Sequence, residues 1–244
     1  MESRRMLLPL AALAMAALSP STDALAQNSA PASSSSASST AKRVTKSVAA
    51  SDSGINGTVA NGFYTNKTFA FTCKIPPGWV LRTDELNARE EKKEEDKKAE
   101  DKSGDTPTAA QPPAASSAGA RVLLAAFSRP PEAHGEDVNA SILIAAESAS
   151  AYPGLQEASQ YFGPLIEVAK AQGFILDENP YDAAVGTKTM VRGDFHKDVG
   201  SRVMRQSTLA MLSHGYAVSI TIIGGTDDEV EDLVDGLTFT ATGK

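Results

Sequence analysis

The chain has 244 residues, with 23 Lys and Arg against 30 Asp and Glu and a formal net charge of −7 at pH 7. That balance excludes a protein built to neutralise a nucleic-acid backbone, so no nucleic-acid partner is expected. Hydrophobic residues make up 41% of the chain, and Ser, Ala, Pro and charged residues crowd into two stretches, so the folded core is smaller than the chain.

Residues 1–26 read as a signal peptide. Arg4 and Arg5 sit in a short charged start, residues 6–18 are apolar apart from Pro9, and Ala24-Leu25-Ala26 is a small-x-small site predicting cleavage after Ala26. At about 1.5 Å per residue the apolar run spans roughly 20 Å, short of the roughly 30 Å of a bilayer core, so no transmembrane segment is expected. Arg4-Arg5 also resembles a twin-arginine signal, but the brevity of the start favours the Sec route. The expectation is a periplasmic or secreted bacterial protein. No Cys follows the apolar run to carry a lipid, and the single thiol, Cys73, forbids an intramolecular disulfide.

Residues 27–60 are mostly Ser, Ala, Thr, Gly and Asn and cannot bury enough surface to offset their ordering entropy, which predicts a disordered tether. Residues 84–120 form a second break, charged in the first half and rich in Pro, Ala and Ser in the second; like charges at Glu90/Glu94 and Lys93/Lys97 leave any helix there solvated and marginal. Residues 61–83 and 121–244 remain as a single domain of common size, expected to be monomeric.

Within that domain Phe69, Phe71 and Cys73 alternate as one inward strand face, and Pro76-Pro77-Gly78 turns the chain so that Trp79 meets the core. Residues 122–127 and 142–146 are short apolar runs, as in strands buried on both faces. Residues 155–172 have helical period, with Gly163-Pro164 predicted to kink or split the helix and Gly173 closing it. Residues 174–177, 184–195, 202–212 and 216–223 read as strands, the last two joined as a hairpin through Ser213-His214-Gly215. Thr226-Asp227-Asp228-Glu229 is a capping box opening an amphipathic helix through Val230, Leu233, Val234 and Leu237. Strands with separated helices argue for an α+β fold built on an antiparallel sheet.

No nucleophile elbow, phosphate-binding loop, dinucleotide fingerprint or Cys-x-x-Cys pair occurs, so no cofactor and no enzymatic activity are expected. A hydrolase would need a pocket that brings a His beside Ser or Cys73. Asp194-x-His196-x-Asp198 is the one spacing with metal chemistry: on a continuing strand the three side chains share a face and offer an imidazole between two carboxylates to Zn²⁺ or Mn²⁺. Read as the polar tip of a hairpin over residues 193–200, they are solvated turn residues. His134-Gly135-Glu136-Asp137 is a loop whose donors lie too close together for a structural zinc pattern. Gly224-Gly225-Thr226 opens a helix, but the acids that follow would repel an anion there. Arg192, Lys197, Arg202 and Arg205 are the one basic concentration and a possible contact for an acidic partner.

Tyr64 with Phe69 and Phe71, the Pro77-Gly78-Trp79 turn, a middle helix ending at Gly173-Phe174, a late hairpin and a closing helix running into Leu237-Thr238-Phe239 together resemble the PsbP-like superfamily. That grouping includes extrinsic photosystem proteins, Ran-binding Mog proteins and bacterial periplasmic DcrB-like proteins, and the export signal fits the last branch. The resemblance implies an α-β-α sandwich around a central antiparallel sheet, and proteins that bind or scaffold rather than catalyse. Here it implies an envelope or periplasmic protein partner.

Overall fold

The computed structural model describes residues 54–100, 121–133, 135 and 137–240, with backbone only for 93–100. The signal peptide, most of the tether, residues 101–120, His134 and Glu136 lie outside these. Twelve strands and three α-helices are described: β1 (Thr58–Ala60), β2 (Phe63–Asn66), β3 (Phe71–Lys74), β4 (Val80–Leu81), α1 (Thr83–Glu100), β5 (Arg121–Phe127), β6 (Ser141–Ser148), α2 (Ala158–Ala171), β7 (Ile175–Leu176), β8 (Tyr181–Val185), β9 (Lys188–Val199), β10 (Arg202–Ser213), β11 (Tyr216–Gly224), α3 (Asp227–Asp235) and β12 (Leu237–Phe239). None of the described helices is long and apolar enough to cross a membrane.

A large antiparallel sheet runs β4-β5-β6-β11-β10-β9-β7, with β8 also paired to β9. Its central strands are apolar runs because both faces are covered. One face presents Ile144, Ile220 and Leu209, cross-strand neighbours that are fully buried. They pack against a small sheet, β1-β2-β3-β12, and against Val230, Leu233 and Val234 of α3. On the opposite face Tyr161, Phe162 and Leu165 of α2 cover Ala210 and Ala217, while Leu86 of α1 rests on Val122, Ala125 and Phe127. The expected α+β class and antiparallel sheet are present. The layer expected to be helical on one side is instead a second sheet plus α3, because Leu237–Phe239 continues past the last helix as a strand paired to β3.

Four further readings change. The domain begins before residue 61: Ile55 is core and β1 is an edge strand of the small sheet, since the Asn66 side-chain amide donates to the Ile55 carbonyl at 2.7 Å and anchors the chain there. The break expected from Asp84 starts instead with α1, whose first turns dock on β5. Thr83 Oγ1 accepts from the Ala125 N–H, and Asn87 bonds both the N–H and the carbonyl of Val122. Gly163-Pro164 does not split α2, which continues through Pro164 from a start where Gln160 Oε1 accepts from the Glu157 N–H. Proline forfeits one backbone bond there, and the burial of Tyr161, Phe162 and Leu165 against the sheet outweighs that loss at roughly 1.5–3 kcal/mol per large side chain. Finally, residues 193–199 are strand, the turn falling at Gly200-Ser201 between the paired Val199 and Arg202.

Gly193 explains how α2 comes so close. A Cβ at that position would stand 2.6 Å from Cε1 of Phe162, so only glycine lets the ring lie on the β9 backbone. Trp79 packs on the core as expected, although it is half-buried rather than enclosed. Cys73 is fully buried, and burial pushes its thiol up to about 12.

Candidate binding cleft

Three turns and the end of β12 meet at one end of the space between the two sheets. The β8–β9 hairpin closes through Gly186-Thr187, with Gly186 in the left-handed region at φ 59°. The β10–β11 hairpin closes through His214-Gly215, both left-handed at φ 52° and 79°, as a two-residue hairpin turn requires. The β2–β3 turn is held by Asn66, whose Oδ1 accepts from the Phe69 N–H at 2.9 Å. Its last residue, Ala70, is left-handed at φ 56°, a conformation that costs a Cβ-bearing residue about 1–2 kcal/mol. The Ala70 carbonyl accepts from both the N–H and the Oγ1 of Thr240 at 2.9 and 3.1 Å, which binds the end of β12 to that turn and offsets the strain.

Between these turns lies a cleft of about 400 Å³ lined by Phe69, Ala70, Thr187, Lys188, Ser213, His214, Phe239 and Thr240. Its floor is aromatic. Phe69 meets Tyr216 edge-on at 5.9 Å between ring centroids and His214 at 6.3 Å, and Phe239 leans on Phe71 at 5.8 Å. Its rim is polar: Lys188 Nζ stands 5.8 Å from the Phe239 ring centroid, and Ser213 Oγ lies 2.9 Å from His214 Nδ1. None of the eight lining residues carries a carboxylate. The arrangement can hold an apolar body on the floor and a polar group at the rim.

The residues singled out from sequence fall elsewhere. Asp194, His196 and Asp198 do share one side of β9, but the structure gives each different company. Asp194 accepts from Arg192 Nε at 2.9 Å and from the Tyr181 hydroxyl at 2.7 Å, His196 Nδ1 bonds Asp177, and Asp198 is exposed. Among the described residues no group of three His, Cys, Asp or Glu is placed to hold a metal ion. The expected metal triad is therefore not assembled: Asp194 and His196 are engaged by Arg192, Tyr181 and Asp177, and Asp198 stands exposed at the end of the strand. Tyr181 shows the effect: partial burial and its bond to Asp194 push the hydroxyl up to about 12.

Three of the four basic residues are likewise engaged, and Arg202 is exposed. Arg192 bridges Asp194 and Glu231 and ties β9 to α3, Arg205 lies 3.3 Å from Asp227, and Lys197 donates to the Gln172 carbonyl at 2.7 Å and stands over Phe174. At Gly224-Gly225-Thr226 the N-cap half of the expected capping box forms, Thr226 Oγ1 accepting from the Glu229 N–H, while Glu229 Oε2 accepts from the Gly225 N–H, one residue before the cap.

Two features escaped the sequence. Phe69, Lys188, His214 and Phe239 are separated by up to 170 residues, and no local period links them; the glycine in each of the two tight hairpin turns was the only signal. The second is Glu147, which is 1% exposed beneath α2 and accepts from the Tyr152 hydroxyl, with the Tyr161 hydroxyl beside it. Burial, and then the Glu147 charge, hold both phenols well above their ordinary range.

No family model matches the chain, and no curated protein sequence matches it. Solved structures with some likeness include a Pseudomonas aeruginosa protein of unknown function, PA94, at TM-score 0.30 and 19% identity, covering 41% of this chain and 68% of that one. LpqN of Mycobacterium tuberculosis, involved in cell envelope biogenesis, gives TM-score 0.32 and 13% identity over 70% of this chain and 83% of its own. The Saccharomyces cerevisiae Ran-binding protein Mog1p gives 0.30 and 14% over 73% and 82%. At such TM-scores these likenesses transfer no function to this chain.

Proposed function

We propose that this protein is an exported, noncatalytic binding protein of the bacterial cell envelope, PsbP-like in fold and of the DcrB-like branch, and that it binds through the cleft between its two sheets. The observation that carries the reading is the cleft itself: an aromatic floor of Phe69 and Phe239 under a rim of hydroxyls, imidazole and one ammonium, in the volume range of small-ligand sites. The signal-peptide pattern of residues 1–26 supports export, and the Ser- and Ala-rich composition of the stretch after it is that of a tether.

One observation favours a second reading. Ser213 Oγ and His214 Nδ1 are within hydrogen-bond distance in the cleft, as a nucleophile and its base would be. Against it, no lining carboxylate is present to orient the imidazole, and the two residues are adjacent in a tight turn.

The test is photocrosslinking in cell-envelope extract with a reactive side chain placed at Thr187, using the mature protein, together with N-terminal sequencing and metal analysis of the same sample. A start at Gln27 and a specific adduct lost in Phe239→Ser would support the proposal. An unprocessed N-terminus, absence of any adduct, stoichiometric metal lost on His196→Ala, or ester hydrolysis abolished by Ser213→Ala would each overturn it.

A further inference from the structure

The binding reading of the cleft leaves its ligand class open, and the polar groups around it narrow that class. Of the rim hydroxyls, Thr240 Oγ1 donates to the Ala70 carbonyl and Thr187 Oγ1 to the Phe239 carbonyl at 3.3 Å, so both protons point into the protein's own backbone. The donors left to face the cleft are the Lys188 ammonium and the Ser213–His214 pair. Lys188 makes no ion pair among the described residues; its neighbour is the face of Phe239. The guanidiniums of Arg82, Arg192 and Arg205, by contrast, are all matched by carboxylates. A lone ammonium without a counter-ion, set at the edge of an aromatic floor in a chain of net charge −7, complements a ligand that brings its own negative charge.

We propose, resting on the reading of the cleft as a binding site, that its ligand is a small amphiphilic carboxylate: an apolar chain or ring on Phe69 and Phe239, and a carboxylate paired with Lys188 and reached by Ser213 or His214. A phosphate monoester is a poorer fit, since one ammonium answers one negative charge and no helix residue lines the cleft.

The experiment is isothermal titration of the mature protein with decanoate, 1-decanol and decylammonium, in the wild type and in Lys188→Gln, with Lys188→Arg as the charge-retaining control. Decanoate is expected to bind about tenfold more tightly than 1-decanol, the size of one charge-assisted hydrogen bond. Lys188→Gln should reduce that ratio to near one, and Lys188→Arg should keep it. Unchanged melting temperatures confirm that both variants fold. If 1-decanol or decylammonium binds as tightly as decanoate, or if the preference survives in Lys188→Gln, the carboxylate proposal is overturned while the cleft reading stands. If none of the three probes binds, the cleft reading falls and takes this proposal with it.

Discussion

Asn87, in the second turn of α1, gives Val122 the two hydrogen bonds that a neighbouring strand would give it: its Oδ1 accepts from the Val122 N–H at 3.0 Å and its Nδ2 donates to the Val122 carbonyl at 2.9 Å. The short β4 pairs only with Phe127 and Ala126. Arg82 and Thr83 then satisfy Ala125, and Asn87 completes the edge, so a helix seals a strand that would otherwise present free backbone groups.

Removing that seal has a measurable cost. Asn87→Ala leaves a part-buried N–H and carbonyl unpaired and is expected to destabilise the protein by about 1–3 kcal/mol in urea titrations. Asn87→Asp, which keeps the acceptor and loses the donor, should cost less. A change below about 0.5 kcal/mol for Asn87→Ala would mean that water replaces the amide.

The contact of Phe162 with Gly193 predicts overpacking. Gly193→Ala sets a methyl against the ring and should cost about 1–3 kcal/mol. Shortening the ring to Phe162→Leu in the same protein should recover part of that loss, a coupling that a double-mutant cycle reads directly. Strict additivity would show that the two do not compete for the same space.

The buried Glu147 carboxylate depends on its tyrosine. Tyr152→Phe leaves a buried carboxyl oxygen without its hydroxyl donor and is expected to cost about 1–3 kcal/mol, whereas Tyr216→Phe, whose ring sits on the other side of the sheet, should cost less. Equal losses for both would argue that ring packing, which either Phe retains, is not the relevant difference and that the carboxylate is satisfied by other groups.

Stability should fall on the alkaline side. Burial raises the Cys73 thiol to about 12 and raises the phenols of Tyr64, Tyr152 and Tyr161; burial with the Asp194 bond raises Tyr181 to about 12. Each group holds its proton more tightly folded than unfolded. Its contribution is therefore complete below the unfolded values, about 8.5 for Cys and about 10 for Tyr, and is lost as pH climbs through the folded ones. The urea midpoint is expected to hold from pH 7 to 8 and to decline steadily from about pH 9 to 11. Cys73→Ala should delay the onset of that decline, and Cys73 should resist thiol reagents until the protein is unfolded.

Much of the fold was legible from local pattern. The alternation of Phe69, Phe71 and Cys73 put all three inside, the apolar runs became β5 and β6, and Thr226 capped the last helix by accepting from the Glu229 N–H. What misled was local weakness. The run of like charges after Asp84 hid a helix whose stability comes from Asn87 and Leu86 docking on β5, and Pro164 broke nothing because α2 is held by the sheet beneath it. The Asp194, His196 and Asp198 spacing did place three ligands on one side of a strand. Arg192 is their neighbour on the same strand, but Tyr181 on β8 and Asp177 just beyond β7 come from elsewhere in the chain, which spacing along one strand does not encode.

By itself the sequence determined that Phe69, Phe71 and Cys73 face inward, where α3 starts, and that the single Cys73 can form no intramolecular disulfide. These follow from period, capping chemistry and composition, each read within a few residues. Only the tertiary structure decided that Phe69, Lys188, His214 and Phe239 share a cleft and that Asn87 serves as a strand edge. The physical reason is that a hairpin turn fixes its own conformation locally, while the turns it meets are chosen by sheet order and register, which are set by contacts between residues far apart in the chain.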